Sequence, residues 1–373
     1  MSSIARKRYR ASAAVQFAKI GEYVDPIVEA IATHDMTIEK RGAIHHIRSP
    51  FGKATFEALQ GGFKLTVEAS DPAGINCLKH ALVGPICFIA AREKLNIEWD
   101  GEQTAPTLPD DLRQLHVRSI EDITPRFRRI IFKGEDLERY DRNDQLHCRL
   151  IFQPRGIVDP RWPMLNHLGH IVWPQNLAVP TRVYTIRNID IKRQEITIDF
   201  ARHANPGPAT RWATDARPGD LVGILGPAAN GPKQARFYVL AGDETALPGM
   251  ARILESLSDK ATGHVFIEVD SSADELPLEC PPDMTIDWLH RNGAAAGTTA
   301  LLPDAVRSVR WPSNQEDVFF WGGCEHKAFS VIYRHLRHDL GLPRDRFVLY
   351  SHWHKSLSEE QIIAQGAAAY LPQ

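Results

Sequence analysis

Phe237-Tyr-Val-Leu-Ala-Gly-Asp-Glu-Thr-Ala-Leu-Pro248 decides the fold of the C-terminal third of the chain. Phe237 to Ala241 form a continuous apolar run that reads as a short buried strand, and Gly242 then turns the chain into a helical run through Leu257. Further strand signals follow at Val265–Val269, Thr285–Leu289, Asp317–Trp321 and Arg346–Ser351. Lys327–Leu340 reads as a helix between the last two, with Gly341 where a helix end favours left-handed geometry and Pro343 just beyond. Strand alternating with helix predicts an open parallel sheet wound on both faces.

Upstream the period changes. Short apolar or alternating runs at Arg129–Phe132, Leu146–Phe152, Val183–Arg187, Ile196–Phe200 and Leu221–Leu225, punctuated by Pro and Gly, predict an antiparallel barrel or sandwich. A barrel feeding an α/β sheet is a home for a flavin and its electron donor or acceptor. Asp100–Asp111, DGEQTAPTLPDD, reads as a linker. Before it, Ser12–Thr33 reads as a helix with Val15, Ala18, Ile20, Val24, Ile27 and Ile31 near one face, and Asp71–Glu93 as a second helix opened by Asp71-Pro72. Between them, Ala54–Leu59 and Phe63–Glu68 alternate around Gly61-Gly62, a hairpin signal. The expectation is therefore multidomain: a small α+β domain at 1–103, an antiparallel β-barrel at 112–235 and an α/β parallel-sheet domain at 236–373.

Composition excludes several classes. With 44 Lys+Arg against 46 Asp+Glu and a net charge of −2, the chain of 373 residues lacks the excess of cations that a nucleic-acid or membrane-surface binder carries. No uncharged apolar run reaches the ~18 residues of a membrane span. The basic start MSSIARKRYR is followed by a run, Ala11 to Ile20, that Gln16 and Lys19 make too polar for a signal segment, so a cytoplasmic location is expected. The 5 cysteines are scattered, without the pairing an iron–sulfur or zinc site needs. His45-His46 and His352-x-His354 lack a third ligand nearby, so no metal site is expected. Neither a Gly-x-Ser-x-Gly elbow nor a Cys–His arrangement is present, and no side chain is expected to act as a catalytic nucleophile.

Two segments carry binding chemistry. In Arg182-Val-Tyr-Thr-Ile-Arg187, strand alternation sends Arg182, Tyr184 and Ile186 one way and Val183, Thr185 and Arg187 the other. An aromatic ring, a hydroxyl and a guanidinium suit a flavin and its phosphate; the alternative is a strand with one aromatic and two solvated arginines. In His203–Ala213, small residues and a threonine stand where a helix begins, and amides there bind phosphate; the alternative is an ordinary Pro-Gly turn before a helix. Arg126, Arg128 and Arg129 beside Phe127 read either as a cationic cleft for an anionic chelate or as a solvated basic edge.

Taken together, Arg182-Val-Tyr-Thr, the Gly207-Pro-Ala-Thr-Arg-Trp-Ala block, Pro218-Gly-Asp220 with Gly226-Pro227, and Leu240-Ala-Gly-Asp-Glu-Thr-Ala-Leu-Pro248 resemble the siderophore-interacting protein family. These are FAD-dependent ferric-siderophore reductases of the ferredoxin-reductase-like superfamily. Phe266-Ile-Glu-Val, Trp288-Leu-His-Arg and Arg337–Asp345 continue the match in order, to about residue 360. The first hundred residues, including Phe88–Trp99, resemble a small domain of unknown function often joined to such reductases.

The resemblance implies FAD as cofactor, NAD(P)H or ferredoxin as electron donor, and a ferric siderophore as the small-molecule substrate, whose reduction releases Fe(II). It places Arg182, Tyr184 and Thr185 at the flavin, and Asp199 and His203 on the ribityl or adenine side. Gly207, Pro208, Ala209 and Thr210 match the pyrophosphate loop, and Asp243, Glu244, Thr245 and Trp353 close over the flavin. Arg128, His354 and Lys355 would dock the chelate. The family's aromatic-Trp-Arg signature reads His352-Trp353-His354 here, so a fixed positive charge becomes a titratable one. The loop after the first strand of the α/β domain lacks GxGxxG and holds two acids, Asp243 and Glu244, which disfavour a nicotinamide pyrophosphate. Two rival readings are an NAD(P)H-dependent flavin or quinone reductase and a siderophore-binding module without turnover.

Overall fold

In the computed structural model, which describes residues 7–32, 36–202 and 206–365, the chain divides into two units. The first gathers the residues up to Leu112, Ile157–Val179 and the segment from Glu360; the second gathers Arg113–Gly156 and Pro180–Glu359. The first unit opens with β1 (Tyr9–Gln16), α1 (Ile20–Ile31), β2 (Thr37–Arg41), β3 (Ile44–Ser49), β4 (Gly52–Leu59), β5 (Gly62–Ala69), α2 (Pro72–Ile89) and β6 (Asp100–Gly101). The strands pair antiparallel in the order β2-β3-β4-β5-β1-β6. The hairpin read from the sequence is β4–β5, and Asp71 caps α2 by accepting from the Gly74 amide at 2.8 Å.

The helix expected over 12–33 is corrected in its first part. Ser12–Gln16 belong to β1, where Ala11, Ala13 and Val15 are buried in alternation. Period two wins over the helical spacing because β5 lies alongside to take the backbone hydrogen bonds. The helix proper is α1, and Thr33 lies outside the described residues. α2 has the length and mean hydropathy of a membrane span, yet Ile75, Leu78, Leu82 and Ile86 are wholly buried in the core of this unit.

The barrel follows with β7 (Arg113–Thr124), β8 (Phe127–Lys133) and β9 (Gln145–Phe152). The chain then returns to the first unit as the ribbon β10 (Met164–Leu165) and β11 (Ile171–Val172). Two polar side chains of α2 stitch that ribbon and the expected linker to the helix. Asn76 Nδ2 donates to Ala105 O and Leu165 O, each at 3.1 Å. Lys79 Nζ donates to Glu102 O at 3.1 Å and His167 O at 2.8 Å, and burial pushes its pKa down to about 8. Asp100–Asp111 is thus a clamped strap rather than a free linker.

The barrel resumes with β12 (Thr181–Thr185), β13 (Asn188–Asp190), β14 (Glu195–Ala201), α3 (Pro208–Asp215) and β15 (Leu221–Asn230), in the order β12-β9-β15-β7-β8-β14-β13. The Arg187 amide donates to Thr197 O at 2.9 Å and draws the two ends of the sheet together around Leu150, Phe152, Ile198, Phe200 and Val222.

The last part is β16 (Phe237–Asp243), α4 (Leu247–Ser256), β17 (Thr262–Val269), β18 (Asp283–His290), α5 (Leu301–Ser308), β19 (Val318–Glu325), α6 (His326–Arg334) and β20 (Phe347–Trp353). The strands are parallel in the order β18-β17-β16-β19-β20, which places the start of the winding, β16, at the centre. The helix expected over 327–340 is α6 continued by a wider turn at His335–Asp339, and Gly341 takes the left-handed conformation at φ +64°. The architecture is the multidomain one expected: an α+β unit, an antiparallel barrel and a parallel-sheet domain.

Barrel and parallel sheet are locked together within the second unit. The buried Arg252 guanidinium on α4 donates to Ile186 O at 3.0 Å and Arg142 O at 2.5 Å. Arg187 grips Glu255 through both nitrogens, and Trp321 Nε1 donates to Asn230 O at 3.2 Å.

Candidate functional site

β12 carries its motif to the seam between barrel and parallel sheet. Tyr184 lies opposite Cys148 of β9 and turns inward, its ring 4.5 Å from Phe200 and edge-on to Phe152 at 6.3 Å. Thr185 faces the other way, is buried, and lies opposite His147. The alternation read from the sequence holds this far. β12 then ends, so Arg187 serves the Glu255 clamp rather than a strand face. Arg182 Nη1 donates to Thr181 O at 2.7 Å.

α3 begins where the sequence places it. Gly207 is the N-cap, Pro208 occupies the first turn, and the first-turn amides of Ala209 and Thr210 are among those a helix leaves without internal acceptors. Among the described residues, a Cβ at Gly207 would meet nothing within 4 Å. His203 lies outside the described residues. The other end of α3 explains Arg128, which sequence reading assigned to chelate docking. Its guanidinium binds Asp122 at 2.7 Å and donates to Ala213 O at 3.2 Å and to Thr214 O, capping the helix C-terminus. Hydrogen bonding from Arg128 holds the Asp122 carboxyl down at about 2. Arg128 therefore anchors α3, and the structure does not bring it together with His354 and Lys355.

Asp199 is also committed elsewhere. It lies on the face of β14 opposite Phe200, paired with Arg129 through both oxygens at 2.7 and 2.8 Å. The carboxylate is almost fully buried while Arg129 is partly exposed. Replacing Arg129 by Met leaves that charge uncompensated, and urea unfolding of the variant is expected to show a loss of about 3 kcal/mol.

The C-terminal ends of β16, β19 and β20 build the second wall. Asp243 closes β16 and is buried: Oδ1 accepts from the Thr245 amide at 2.9 Å and the Thr245 hydroxyl at 2.5 Å, and Oδ2 accepts from the Glu325 amide at 3.0 Å and Trp353 Nε1 at 2.8 Å. The Thr245 hydroxyl also meets His352 Nδ1 at 3.0 Å. Glu244 is buried against the Arg291 guanidinium, which also reaches Glu268 at 3.6 Å. Burial pushes both carboxyls up. Glu244 thus faces a cation from beyond β18's end, a partner that its own stretch of sequence does not reveal, while Asp243 is spent on hydrogen bonds, and the expected repulsion of a nicotinamide pyrophosphate is reduced.

Between the two walls stands His147, a residue sequence reading passed over inside the β9 run. Its ring is stacked toward Trp321 at 6.3 Å and meets His352 edge-on at 5.6 Å. Among the described residues, neither nitrogen of His147 has a hydrogen-bond partner, and neither does Nε2 of His352. Desolvation, with repulsion from His352 and Arg252, pushes His147 down to about 3; desolvation pushes His352 down to about 4. The His352 ring fits only because position 323 is glycine, where a Cβ would lie 2.3 Å from its Cε1. His354 is off β20 and stacks on His326 at 3.8 Å, and the Lys355 amide donates to Glu325 Oε1 at 3.1 Å. Among the described residues no three His, Cys, Asp or Glu side chains gather as metal ligands.

Buried, unpartnered imidazole nitrogens are costly unless something polar meets them. Beside Thr185 and Thr245 they offer donors and acceptors suited to the polar edge of an isoalloxazine, while the first-turn amides of α3 suit a diphosphate. The residues present fit FAD.

Comparison with known proteins agrees with this arrangement. Residues 116–231 match the siderophore-interacting FAD-binding domain, residues 235–356 the siderophore-interacting protein family, and residues 12–100 an uncharacterized protein family conserved in bacteria. The chain is 29% identical over 265 residues to the ferric vibriobactin reductase ViuB of Vibrio cholerae, covering 69% of this chain and 93% of that one. It is 30% identical over 249 residues to the NADPH-dependent ferric-chelate reductase of Escherichia coli, covering 65% and 92%. The crystal structure of a siderophore utilization protein from T. fusca superposes with a TM-score of 0.59 at 36% identity, over 69% of this chain and 96% of that one. By its barrel, its parallel sheet and these matches, the chain belongs to the siderophore-interacting protein family, a family of flavin oxidoreductases.

Proposed function

We propose that the protein reduces ferric siderophores in the cytosol and so releases Fe(II), with NADPH as the electron donor. One observation carries the reading: a buried polar site at the seam of barrel and parallel sheet, with unpartnered His147 and His352 nitrogens beside Thr185 and Thr245. Bound FAD supplies single electrons, and Fe(III) held by hard anionic oxygens is released once reduced because Fe(II) binds such donors weakly. The protein's part is seating and access. Thr185 at the seam and Tyr184 at the barrel would hold the flavin, the start of α3 would hold its diphosphate, and Asp243 fixes the Thr245 loop and Trp353. His354 and Lys355 remain the groups for an anionic chelate, whereas Arg128 holds α3 in place. NADPH is favoured because the acids of the Asp243–Glu244 loop are met by Arg291 and by hydrogen-bond donors, and because the Escherichia coli relative carries that donor in its name.

The test is anaerobic. Protein loaded with FAD is photoreduced and mixed with ferric siderophores in the presence of ferrozine. The reading expects flavin absorbance to return as Fe(II) appears, one iron for each electron, and NADPH to replace light as the reductant. Reoxidation by quinones or free flavin but not by ferric chelates would favour a general flavin reductase. A protein that takes up no FAD would leave only a binding module.

A further inference from the structure

The first unit has a side that the flavin chemistry does not use. Its helices α1 and α2 cover one face of the six-stranded sheet, and the other face is a groove of about 800 Å³, within the usual range for small-ligand sites. Cross-strand pairing lines up its residues. One row runs Arg48–Lys53–Glu68–Arg10 across β3, β4, β5 and β1, and the next runs His46–Thr55–Thr66–Ser12 across the same strands. The second row is a floor of hydroxyl and imidazole groups, with the Thr55 and Thr66 hydroxyls 2.5 Å apart.

The charges in the first row do not balance. Glu68 is taken by both Arg8 and Arg10. Glu39, another carboxylate of the lining, is held bidentately by Arg41 at 3.0 and 2.9 Å and feels Arg48 and His46 only at longer range. Asp100 lies at the far edge, on β6. Arg48 and Lys53 are therefore direct cross-strand neighbours of like charge with no carboxylate within ion-pair distance among the described residues. Both side chains are exposed, so water screens their repulsion without removing it, and an anion between the two relieves it. No Phe, Tyr or Trp lines the groove, so it offers no platform for stacking a nucleobase.

We propose that this groove is a second binding site for the chelate, one that takes a compact trianion with oxygen donors, the charge class of a tris-catecholate ferric complex. The guanidinium and ammonium of Arg48 and Lys53 meet the anionic oxygens, and the Thr55, Thr66 and Ser12 hydroxyls hydrogen-bond to its rim. The choice of chelate as ligand rests on the reductase reading; the anion site rests on the groove alone.

Hydrogen–deuterium exchange on the full FAD-loaded chain tests this, with the redox-inert Ga(III) tris-catecholate complex as probe. Exchange in the β3–β4 hairpin is expected to slow at least fivefold on adding the probe, and the double variant R48E/K53E is expected to lose that protection. The neutral variant R48Q/K53Q gives the same readout should charge reversal disturb folding. No protection in the hairpin, or protection unchanged in both variants, overturns the site. Equal protection by inorganic phosphate at the same concentration overturns the chelate assignment. Reduced flavin that ferric chelates fail to reoxidise would sink the reductase reading, whereas a wild-type hairpin that the probe never protects, with normal reoxidation, would sink only this inference.

Discussion

Replacing Asp243 by Ala is expected to cost the second unit about 4 kcal/mol in urea unfolding and to abolish retention of FAD. The carboxylate is buried and accepts four hydrogen bonds, from the Thr245 amide and hydroxyl, the Glu325 amide and Trp353 Nε1. Ala leaves at least the two amides and the indole N–H without an acceptor, and each orphaned donor costs roughly 1–3 kcal/mol. Against the ~5–15 kcal/mol that holds a domain, this is a large share. Asn rescues only in part, because its NH₂ would face donors on one side. A D243N variant is therefore expected to fall between wild type and D243A in stability and to bind FAD weakly. Wild-type stability in D243A would show that the network contributes little and that the Thr245 loop and Trp353 are positioned by something else.

Acidification is expected to destabilise the second unit by roughly 4 kcal/mol between pH 7 and pH 5 through His147 and His352. Their folded-state values are about 3 and about 4, against an ordinary value of 6.5. Between those limits the unfolded chain binds protons that the folded one does not, so stability rises with pH in this window and is lost as pH falls from about 6.5 toward 4. Each imidazole contributes about 2 kcal/mol at pH 5. The raised carboxyls of Glu244 and Glu268 act in the opposite sense, so the informative quantity is the difference from a variant. H147L/H352Y, which removes both imidazoles, is expected to flatten the urea-midpoint profile over pH 5–7. A profile as steep as wild type would place the acid sensitivity elsewhere.

Much of the fold is legible in the sequence because the C-terminal strands are continuous apolar runs and the hairpin β4–β5 alternates cleanly around Gly61-Gly62. The start of α3 is equally plain, since Gly207-Pro208 is both a cap and a first turn. What sequence reading misses is mostly decided by distant partners. β7 alternates only in part and carries Arg118, Glu121 and Asp122 on its open side, so it has no clear apolar signal of its own. Ser12–Gln16 could follow either period, and β5 settles it. The strap at 100–111 looks like a linker because its tethers, Asn76 and Lys79, lie a helix away in sequence.

The site divides in the same way. Tyr184, Thr185, the Gly207–Thr210 segment and Thr245 are recognisable because their spacing is local. Asp199 and Arg128 look available in sequence and are consumed by Arg129 and by the end of α3. His147 carries no local signal, since a histidine inside an apolar strand reads as packing. Its importance arises only when β20 brings His352 against it.

The account depends most directly on FAD being seated at this seam, and a titration of stripped protein with FAD measures it. The account predicts one FAD per chain, with flavin fluorescence quenched on binding, and affinity weakened at least tenfold in both Y184A and T185V. Absence of FAD binding, or wild-type affinity in both variants, would contradict it.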